Sequence, residues 1–369
     1  MLVADGHVEY NTSALPEAPP APPSVAVAAG GAWEMWHEAA GGEDCAHVVD
    51  ADAPLEQMAL ADPDDTDYLW LSTNVSWSVL SRQLPPKVEV TGKDGTRVHA
   101  FLDGVPAASA VPTAQGAHTL QLLCAAMGVP NGGVGPTTGK GVTAVRVNGV
   151  DLMGGTTAGR APPWSPTPIA RPPGEAANEA ASEAAPQGER VWRHAWGMVG
   201  ETRRIYEPAS TDRVPWSPVP KASLSRRAGG ATLGSHVWLR GYFDRPQPAA
   251  GATQTAYALN LTSMLKGVAF VNGFHLGRYW LTPGKCSGSC APPVKQGRCY
   301  MHWKACDEPT QTLYHVPTAL LQPTRNLVVL FEEARTSPLP TAGDASTERD
   351  DRKPYGVRLV ALHAHPERN

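Results

Sequence analysis

The sequence predicts an all-β protein, and two of its features carry that prediction. Short apolar runs recur along the chain, separated by Gly, Pro, Asp and Asn, and none continues into a sustained 3.6-residue repeat. The 369 residues include 36 Gly and 36 Pro, well above average usage, which indicates extensive loops and linkers. A chain of this length is long enough for two or three domains. We therefore expect β-sandwiches of the jelly-roll type.

A hairpin is predicted most strongly over residues 266–280, which read KGVAFVNGFHLGRYW. Apolar side chains alternate with smaller or polar ones on both sides of Asn272-Gly273, with the period of a half-buried strand. An Asn-Gly pair favours a two-residue type I′ turn, because both central positions of that turn need a positive φ. Residues 266–280 should therefore form two paired strands.

A weaker copy of the same phrase occurs earlier, over residues 99–107 (HAFLDGVPA). The copy keeps the apolar pair and the turn glycine, and an aspartate replaces the turn asparagine: Ala100, Phe101, Asp103 and Gly104 correspond to Ala269, Phe270, Asn272 and Gly273. A strand–turn–strand phrase that is used twice predicts two copies of one β module.

Taken in order, the chain divides into three predicted parts. Residues 1–30 are a strand followed by a Pro-rich linker. Residues 31–205 are a first sandwich, interrupted at 154–190 by a Pro-, Ala- and Glu-rich insertion that has little to bury and is expected to be disordered. Residues 206–365 are a second sandwich.

The strands of both sandwiches are predicted from the same short apolar runs. In the first sandwich they cover 68–71, 98–102, 119–123 and 142–147. In the second they cover 237–243, 256–261, the hairpin, 312–316, 326–331 and 356–362. The second sandwich also carries a Cys-rich loop at 286–306 and a polar insertion at 334–353.

Charge and hydropathy argue against two classes of partner. The formal net charge is −4 and no basic block is present, so nothing favours nucleic acid. No apolar run approaches the length that crosses a bilayer. The first residues lack a basic region followed by an apolar core, so we find no signal peptide.

The order and wording of several segments resemble the C-terminal region of plant-type family 35 β-galactosidases. Besides the hairpin, the resemblance rests on VEYNTSAL, LEQMALADPDDTDYLWLST, VHAFLDG, LLCAAMGVPNGG, HAWGMVGE, VWLRGYFDRP and QTLYHVPTALLQPTRNLVVLFEE. It covers nearly the whole chain apart from two low-complexity insertions. It implies galactose-binding-like jelly rolls, with the family's catalytic (β/α)8 barrel lying upstream of residue 1 and absent from this chain.

A complete glycosidase site is not expected in this chain. Glycoside hydrolysis needs two carboxyl groups, one as acid and one to attack or to activate water. The most tempting pair is Glu332-Glu333, but neighbouring side chains on a strand point to opposite faces. The resemblance places both catalytic glutamates in barrel motifs that this sequence lacks. We therefore predict no catalytic residue and no activity of the chain alone.

Four of the six cysteines cluster within the Cys-rich loop: Cys286, Cys290, Cys299 and Cys306. Such a cluster fits either a zinc site or two disulfides. The spacings lack the two short CxxC knuckles of a typical structural zinc site. Similar loops of the resembled family are disulfide-bonded, so we favour disulfides, leave their pairing open, and expect no metal and no cofactor. Cys45 and Cys124 are expected to be buried free thiols.

Three asparagines begin N-x-S/T sequons: Asn11, Asn74 and Asn260. They matter only if the chain enters the secretory pathway. Asn74, beside a predicted strand end, is the best candidate for glycosylation. Asn260 lies within a predicted strand, where it is expected to be sterically blocked.

Aromatic residues have two interpretations. Trp70, Trp238 and Trp280 could stack on sugar rings, but packing in the sandwich cores is favoured for each. At the end of the hairpin, Arg278, Tyr279 and Trp280 are candidates for packing against the absent barrel.

Two hypotheses of function follow. In the first, the chain is a fragment, the non-catalytic β portion of a secreted β-galactosidase whose barrel removes terminal β-galactosyl residues. Its partners are then that barrel and β-galactoside-containing glycans, in an extracellular, cell-wall or vacuolar, lysosome-like compartment, as the resemblance implies. In the alternative, the chain is a free-standing, lectin-like carbohydrate-binding module.

Overall fold

The computed structural model describes most of the predicted strands but not every loop. The described residues are 2–4, 7–9, 23–28, 32–45, 47–51, 54, 66–93, 95–112, 115–127, 140–153, 191–220, 236–248, 254–281, 311–333 and 356–364. The chain divides into two compact units, one formed by Met1–His37 with Ile205–Asn369 and the other by Glu38–Arg204.

The described elements are almost all strands. They are β1 Leu2–Ala4, β2 His7–Glu9, β3 Ser24–Ala26, β4 Glu34–His37, β5 His47–Ala51, β6 Tyr68–Ser76, β7 Val88–Gly92, β8 Thr96–Leu102, β9 Val105–Pro106, β10 Ala117–Ala126, β11 Val142–Val147, β12 Val150–Asp151, β13 Trp192–Trp196, β14 Ser217–Pro218, β15 Val237–Phe243, β16 Gln254–Asn260, β17 Lys266–Val271, β18 Phe274–Trp280, β19 Leu313–Val316, β20 Asn326–Glu332 and β21 Arg358–Ala364. The α-helices within the described ranges are two single turns, α1 Trp77–Leu80 and α2 Val199–Thr202.

The unit made from both ends of the chain is a sandwich of two sheets. Its larger sheet has the order β14-β4-β15-β20-β17-β18 and its smaller sheet the order β19-β16-β21-β3. Alternate residues of the facing strands form one buried core: Leu239, Val271, Val328 and Leu330 from the larger sheet, and Tyr257, Leu259, Val316 and Leu359 from the smaller. This alternation is what the period-two sequence pattern predicted.

The 38–204 unit is a second sandwich. Its larger sheet has the order β5-β13-β6-β10-β8-β9, and its smaller sheet the order β12-β11-β7. The core between them combines Leu69, Leu71, Leu120 and Leu122 with Val145 and Val147. Every strand pair in the part of the chain that the structure describes is antiparallel. The all-β prediction is confirmed, and the described residues contain no barrel of alternating strands and helices.

The predicted duplication is visible in the strand order. The run β6-β10-β8-β9 of one unit corresponds to β15-β20-β17-β18 of the other. The correspondence extends to side chains on the sheet face away from the sandwich core. Trp70 and Phe101 lie with their rings 5.6 Å apart, and Trp238 and Phe270 lie 6.2 Å apart at the equivalent positions.

The two hairpin turns also agree. Asp103 and Gly104 have φ of 51° and 78°, and Asn272 and Gly273 have φ of 49° and 88°. Positive φ at both central positions is the requirement of the predicted type I′ turn. The N–H of Asp103 donates to Thr119 O and that of Asn272 to Leu327 O, each at 2.9 Å. Each turn thus attaches to the neighbouring strand in the same way.

The first domain boundary differs from the prediction of a linker over 1–30 and a sandwich over 31–205. β3 pairs with β21, and β4 pairs with β15, so residues 24–26 and 34–37 belong to the sheets of the later sandwich. Pairing across such a sequence separation leaves no local signal. The predicted strand near the N-terminus is a small hairpin of β1 and β2.

The predicted insertions at 154–190 and 334–353 and the loop at 286–306 lie outside the described residues. Among the described elements, neither helix has the length and apolar character needed to span a membrane.

Candidate functional site

The adjacent carboxylates Glu332 and Glu333, at the end of β20, are 0% and 1% exposed. Glu332 accepts hydrogen bonds from the backbone N–H groups of Leu265, at 3.0 Å, and Lys266, at 3.3 Å. The Tyr279 hydroxyl lies 3.2 Å from the same carboxylate and 2.9 Å from Phe331 O. The Glu332 carboxylate thereby fastens the start of β17 to β20.

Glu333 has different partners. Its carboxylate forms an ion pair with Arg278 and a second one with Lys266, whose Nζ is 3.3 Å away. The Lys266 ammonium also lies 5.7 Å from the centre of the Trp280 ring. Breaking a buried ion pair of this kind strongly destabilises the fold, because the remaining charge is left uncompensated. With both carboxylates enclosed and engaged, the pair has no open face for a sugar.

The three barrel-packing candidates have different environments. Arg278 is mostly buried and paired with Glu333. Tyr279 is 0% exposed and belongs to the sandwich core, so the expectation that its ring is available to a barrel is corrected. The cause is strand alternation: Tyr279 points inward between Arg278 and Trp280, which point outward. Trp280 is half-buried and keeps part of its ring accessible.

Trp70 and Trp238 are fully buried, as expected, but they lie on the face of each larger sheet opposite to the sandwich core. Trp238 packs 4.9 Å from Phe331, and Tyr206 stacks on Phe270 at 4.3 Å. Both tryptophans are therefore structural, and neither is placed to stack on a sugar.

A second pair of carboxylates, the buried Glu38 and the half-buried Glu201, lies at the start of α2. Glu38 accepts hydrogen bonds from Val199 N at 2.7 Å and Gly200 N at 3.2 Å. Glu201 accepts from Met198 N at 2.9 Å and from the Thr66 hydroxyl at 2.7 Å. Burial raises the pKa of Glu201 to about 8, and the nearby Glu38 carboxylate raises it further, while the two hydrogen bonds oppose the shift. Burial therefore favours the neutral, protonated form of the Glu201 carboxyl in the folded protein.

Both described cysteines are free thiols, as predicted. Burial raises the pKa of Cys45 to about 12, with a further contribution from Glu38, and the thiol lies 3.4 Å from Gly197 O. Burial alone raises the pKa of Cys124 to about 12. Neither thiol is a reactive nucleophile, because the thiolate form is needed for reaction. The loop cysteines lie outside the described residues, so their disulfides stay a prediction.

The sequons divide by accessibility. Asn74 is exposed on β6. Asn260 is buried, and its side-chain oxygen accepts hydrogen bonds from the N–H and hydroxyl of Thr262 at 3.0 and 2.5 Å, which agrees with the expected steric block. Asn11 lies outside the described residues.

Sequence reasoning missed a polar cleft on the 38–204 unit. It is lined by Gly41, Glu43, Asp50, Ser72, Thr73, Asn74, Thr119, Gln121, Val191 and Arg193. The available signal was the alternation of polar residues at Ser72 and Asn74 and again at Thr119 and Gln121. Nothing in the sequence shows that β5, β6, β10 and β13 are neighbours. Within the described ranges, no group of three His, Cys, Asp or Glu residues is arranged to hold a metal ion.

Comparison with known proteins points to one family. Residues 236–326 match the family described as "Beta-galactosidase, galactose-binding domain". Beta-galactosidase 8 of Arabidopsis thaliana is 33% identical over 153 residues, which is 40% of this chain and 16% of that protein. Beta-galactosidase 13 of Arabidopsis thaliana is 32% identical over 145 residues, which is 39% of this chain and 13% of that protein.

The chain thus matches less than a fifth of the length of these two relatives. Among solved structures, a lectin from Pleurotus ostreatus in complex with GalNAc aligns over 94% of this chain and 81% of that one, at 10% identity and a TM-score of 0.17. Together the matched domain, the plant relatives and the all-β fold identify this chain as resembling the C-terminal, post-barrel region of a plant-type family 35 β-galactosidase.

Proposed function

We propose that this chain is the non-catalytic β-sandwich portion of a β-galactosidase. The parent enzyme would remove terminal non-reducing β-galactose residues with retention, using two glutamates on an upstream barrel. The observation that carries the proposal is the burial of Glu332 and Glu333. The carboxylate pair that the sequence offers is bonded to Lys266, Arg278 and the backbone, and it has no path to a substrate.

The partners follow from the same proposal. The accessible part of Trp280, together with Phe274, which is exposed on the same strand, would contact the barrel. Arg278 would contribute its outer edge while remaining paired with Glu333. The substrates of the parent enzyme would be β-galactoside-containing glycans. The enzyme would meet them in an extracellular, cell-wall or vacuolar compartment.

The test is an activity assay of the purified chain on an aryl β-galactoside. We expect no turnover above background, because retaining hydrolysis needs two accessible carboxyl groups about 5 Å apart. Adding the separately produced barrel of a plant β-galactosidase should give a complex on gel filtration. Turnover by the chain alone that disappears in Glu43→Gln or Asp50→Asn, the accessible carboxylates of the polar cleft, would refute the proposal. A clean monomer that binds no barrel but binds galactose would favour the lectin-like module.

A further inference from the structure

The polar cleft is built on one face of four adjacent strands. In register, Asp50 of β5 lies beside Arg193 of β13, Arg193 beside Ser72 of β6, and Ser72 beside Gln121 of β10. Register partners in antiparallel strands share a face, and neighbouring strands are about 4.8 Å apart. These side chains therefore form a row about 14 Å long.

A second row on the same sheet face extends the cleft. Asn74 lies beside Thr119 in register, two residues after Ser72 on β6 and two residues before Gln121 on β10. On the other side, the apolar face around Trp70 is covered, because Gly42 approaches so closely that a Cβ there would lie 2.8 Å from the Trp70 ring. The loop that contains Gly42 also supplies Gly41 and Glu43 to the cleft wall. The volume of the cleft is about 280 Å³.

Much of the hydrogen-bonding capacity in the cleft is uncommitted. Within the described residues, no hydrogen bond or ion pair engages the Ser72 hydroxyl, the Arg193 guanidinium or the carboxylates of Glu43 and Asp50. Gln121 uses only its oxygen, which accepts a hydrogen bond from Gly104 N at 3.1 Å, and its amide N–H groups remain. The cleft therefore presents donors and acceptors interleaved on a fixed sheet.

The charges select the class of ligand. Glu43 and Asp50 are negative and Arg193 is positive, so the lining does not favour an anion. No metal-binding arrangement exists among the described side chains, so an ion is not the expected occupant. Hydroxyl groups that both donate and accept match carboxylates, an amide and a guanidinium placed side by side. The volume is slightly below the about 300–1,000 Å³ of sites for drug-sized ligands, which suits one small ring.

We propose that this cleft binds a single neutral pyranose residue. Two sources could supply it: a galactoside of the surrounding glycan, or the first N-acetylglucosamine of a glycan attached to Asn74, which stands in the cleft wall. The apolar contribution of the lining comes from Val191, with no aromatic ring among the lining residues. The affinity for a free sugar should therefore be weak, on the order of 1 mM. The proposal does not depend on whether the chain is part of a β-galactosidase.

In the experiment, the full chain, produced without glycosylation, is titrated with methyl β-galactoside and with methyl β-N-acetylglucosaminide. Ligand-observed NMR measures the binding of each sugar. Methyl β-galacturonide serves as the anionic comparison and should bind more weakly than the galactoside. Arg193→Ala removes a charged donor and should raise Kd by about tenfold or more. Arg97→Ala is the matched control, because Arg97 is exposed on β8 of the same sheet but outside the cleft. It should leave Kd within twofold.

A second arm uses the chain produced in plant cells. If the attached glycan is the occupant, mass spectrometry should find Asn74 modified. An endoglycosidase should then release that glycan faster from Arg193→Ala than from the unaltered chain. Binding of free galactoside that is lost in Arg193→Ala supports the first source, and a protected glycan supports the second. Neither binding nor protection, or equal effects of Arg193→Ala and Arg97→Ala with unchanged melting temperatures, overturns the proposal.

Discussion

Gly267 is the residue on which the pairing of β17 with β20 depends. A Cβ built at this position would lie 1.8 Å from Phe331 O and 2.8 Å from the Tyr279 hydroxyl, the two groups that hydrogen-bond to each other. No rotamer change relieves contact with a backbone oxygen. The strand must either move away or lose the Tyr279 hydrogen bond.

We expect Gly267→Ala to lower the free energy of unfolding by about 3 kcal/mol or more, through overpacking and the lost hydrogen bond. Urea unfolding of both chains measures this difference in the free energy of unfolding. Gly277→Ala is the control, because a Cβ there meets nothing within 4 Å and the backbone φ of 108° adds strain alone. Equal destabilisation by the two variants would contradict the importance of close approach.

Some features of single residues were predictable from the sequence, and others were not. The Asn272-Gly273 turn was predictable, because a local pair of residues sets the backbone conformation. The burial of Tyr279 was predictable in principle from strand alternation, but three large neighbouring side chains at a hairpin end suggested one exposed surface. The ion pairs of Glu333 were not predictable, since Lys266 and Arg278 lie in the β17–β18 hairpin, more than 50 residues before the end of β20.

At the scale of elements, the two hairpin turns share a backbone but differ in what their side chains donate. Asn272 Nδ2 donates to Leu320 O at 2.8 Å and to Asn326 Oδ1 at 2.9 Å, and its oxygen accepts from Leu327 N. Asp103 only accepts, from Thr119 N at 2.8 Å, and pairs with His118 at 2.6 Å.

Exchanging the two turn residues should therefore be asymmetric. Asn272→Asp places a carboxylate against two acceptors and should destabilise by about 2 kcal/mol. Asp103→Asn keeps the hydrogen bond from Thr119, and the Asp103 side chain is 47% exposed, so its effect should be smaller. Thermal unfolding of both variants checks this, and a larger effect of Asp103→Asn would refute the assigned roles.

The short helix α2 gives its unit a dependence on pH. Burial raises the pKa of Glu201 to about 8 from an ordinary value of 4.5, so the folded unit retains a proton that the unfolded chain loses. The stabilisation is complete below about pH 4.5 and is lost as the pH rises towards about 8. We expect the melting temperature to fall between pH 5 and pH 8.

In Glu201→Gln, which keeps a neutral side chain, that slope should flatten. The exposed Glu43→Gln is the control and should retain the slope of the unaltered chain. Scanning calorimetry at pH 5, 6, 7 and 8 separates them. A slope of the same size in Glu201→Gln would show that another group carries it.

At the scale of the whole molecule, the cysteines should divide into two classes. Cys45 and Cys124 are buried thiols whose pKa values of about 12 keep them unreactive in the folded protein. The four loop cysteines are predicted to form disulfides in secreted material. Alkylation without reductant should therefore add nothing to the native chain and two groups after denaturation. Six added groups, or one bound zinc by elemental analysis, would reverse the preference for disulfides.

The arrangement of the chain into units was the least predictable level. Strand positions such as 142–147 and 237–243 agree with the predicted bounds, because burial on one face is written locally as alternation. The assignment of β4 to the later sandwich, and of Asp50, Ser72, Gln121 and Arg193 to one cleft, depends on pairing between distant segments. A single sequence records no such pairing.

The division of one sandwich across both ends of the chain has a consequence for synthesis. β4 pairs with β15, and all of Glu38–Arg204 is translated between them. At about 5–20 residues per second, a ribosome needs roughly 10–30 s to make that segment. Throughout this interval Trp33 and Met35, both buried in the finished protein, have no sheet to join. The contiguous unit can close on the nascent chain while this early strand waits, and a chaperone that holds apolar segments would find its target there.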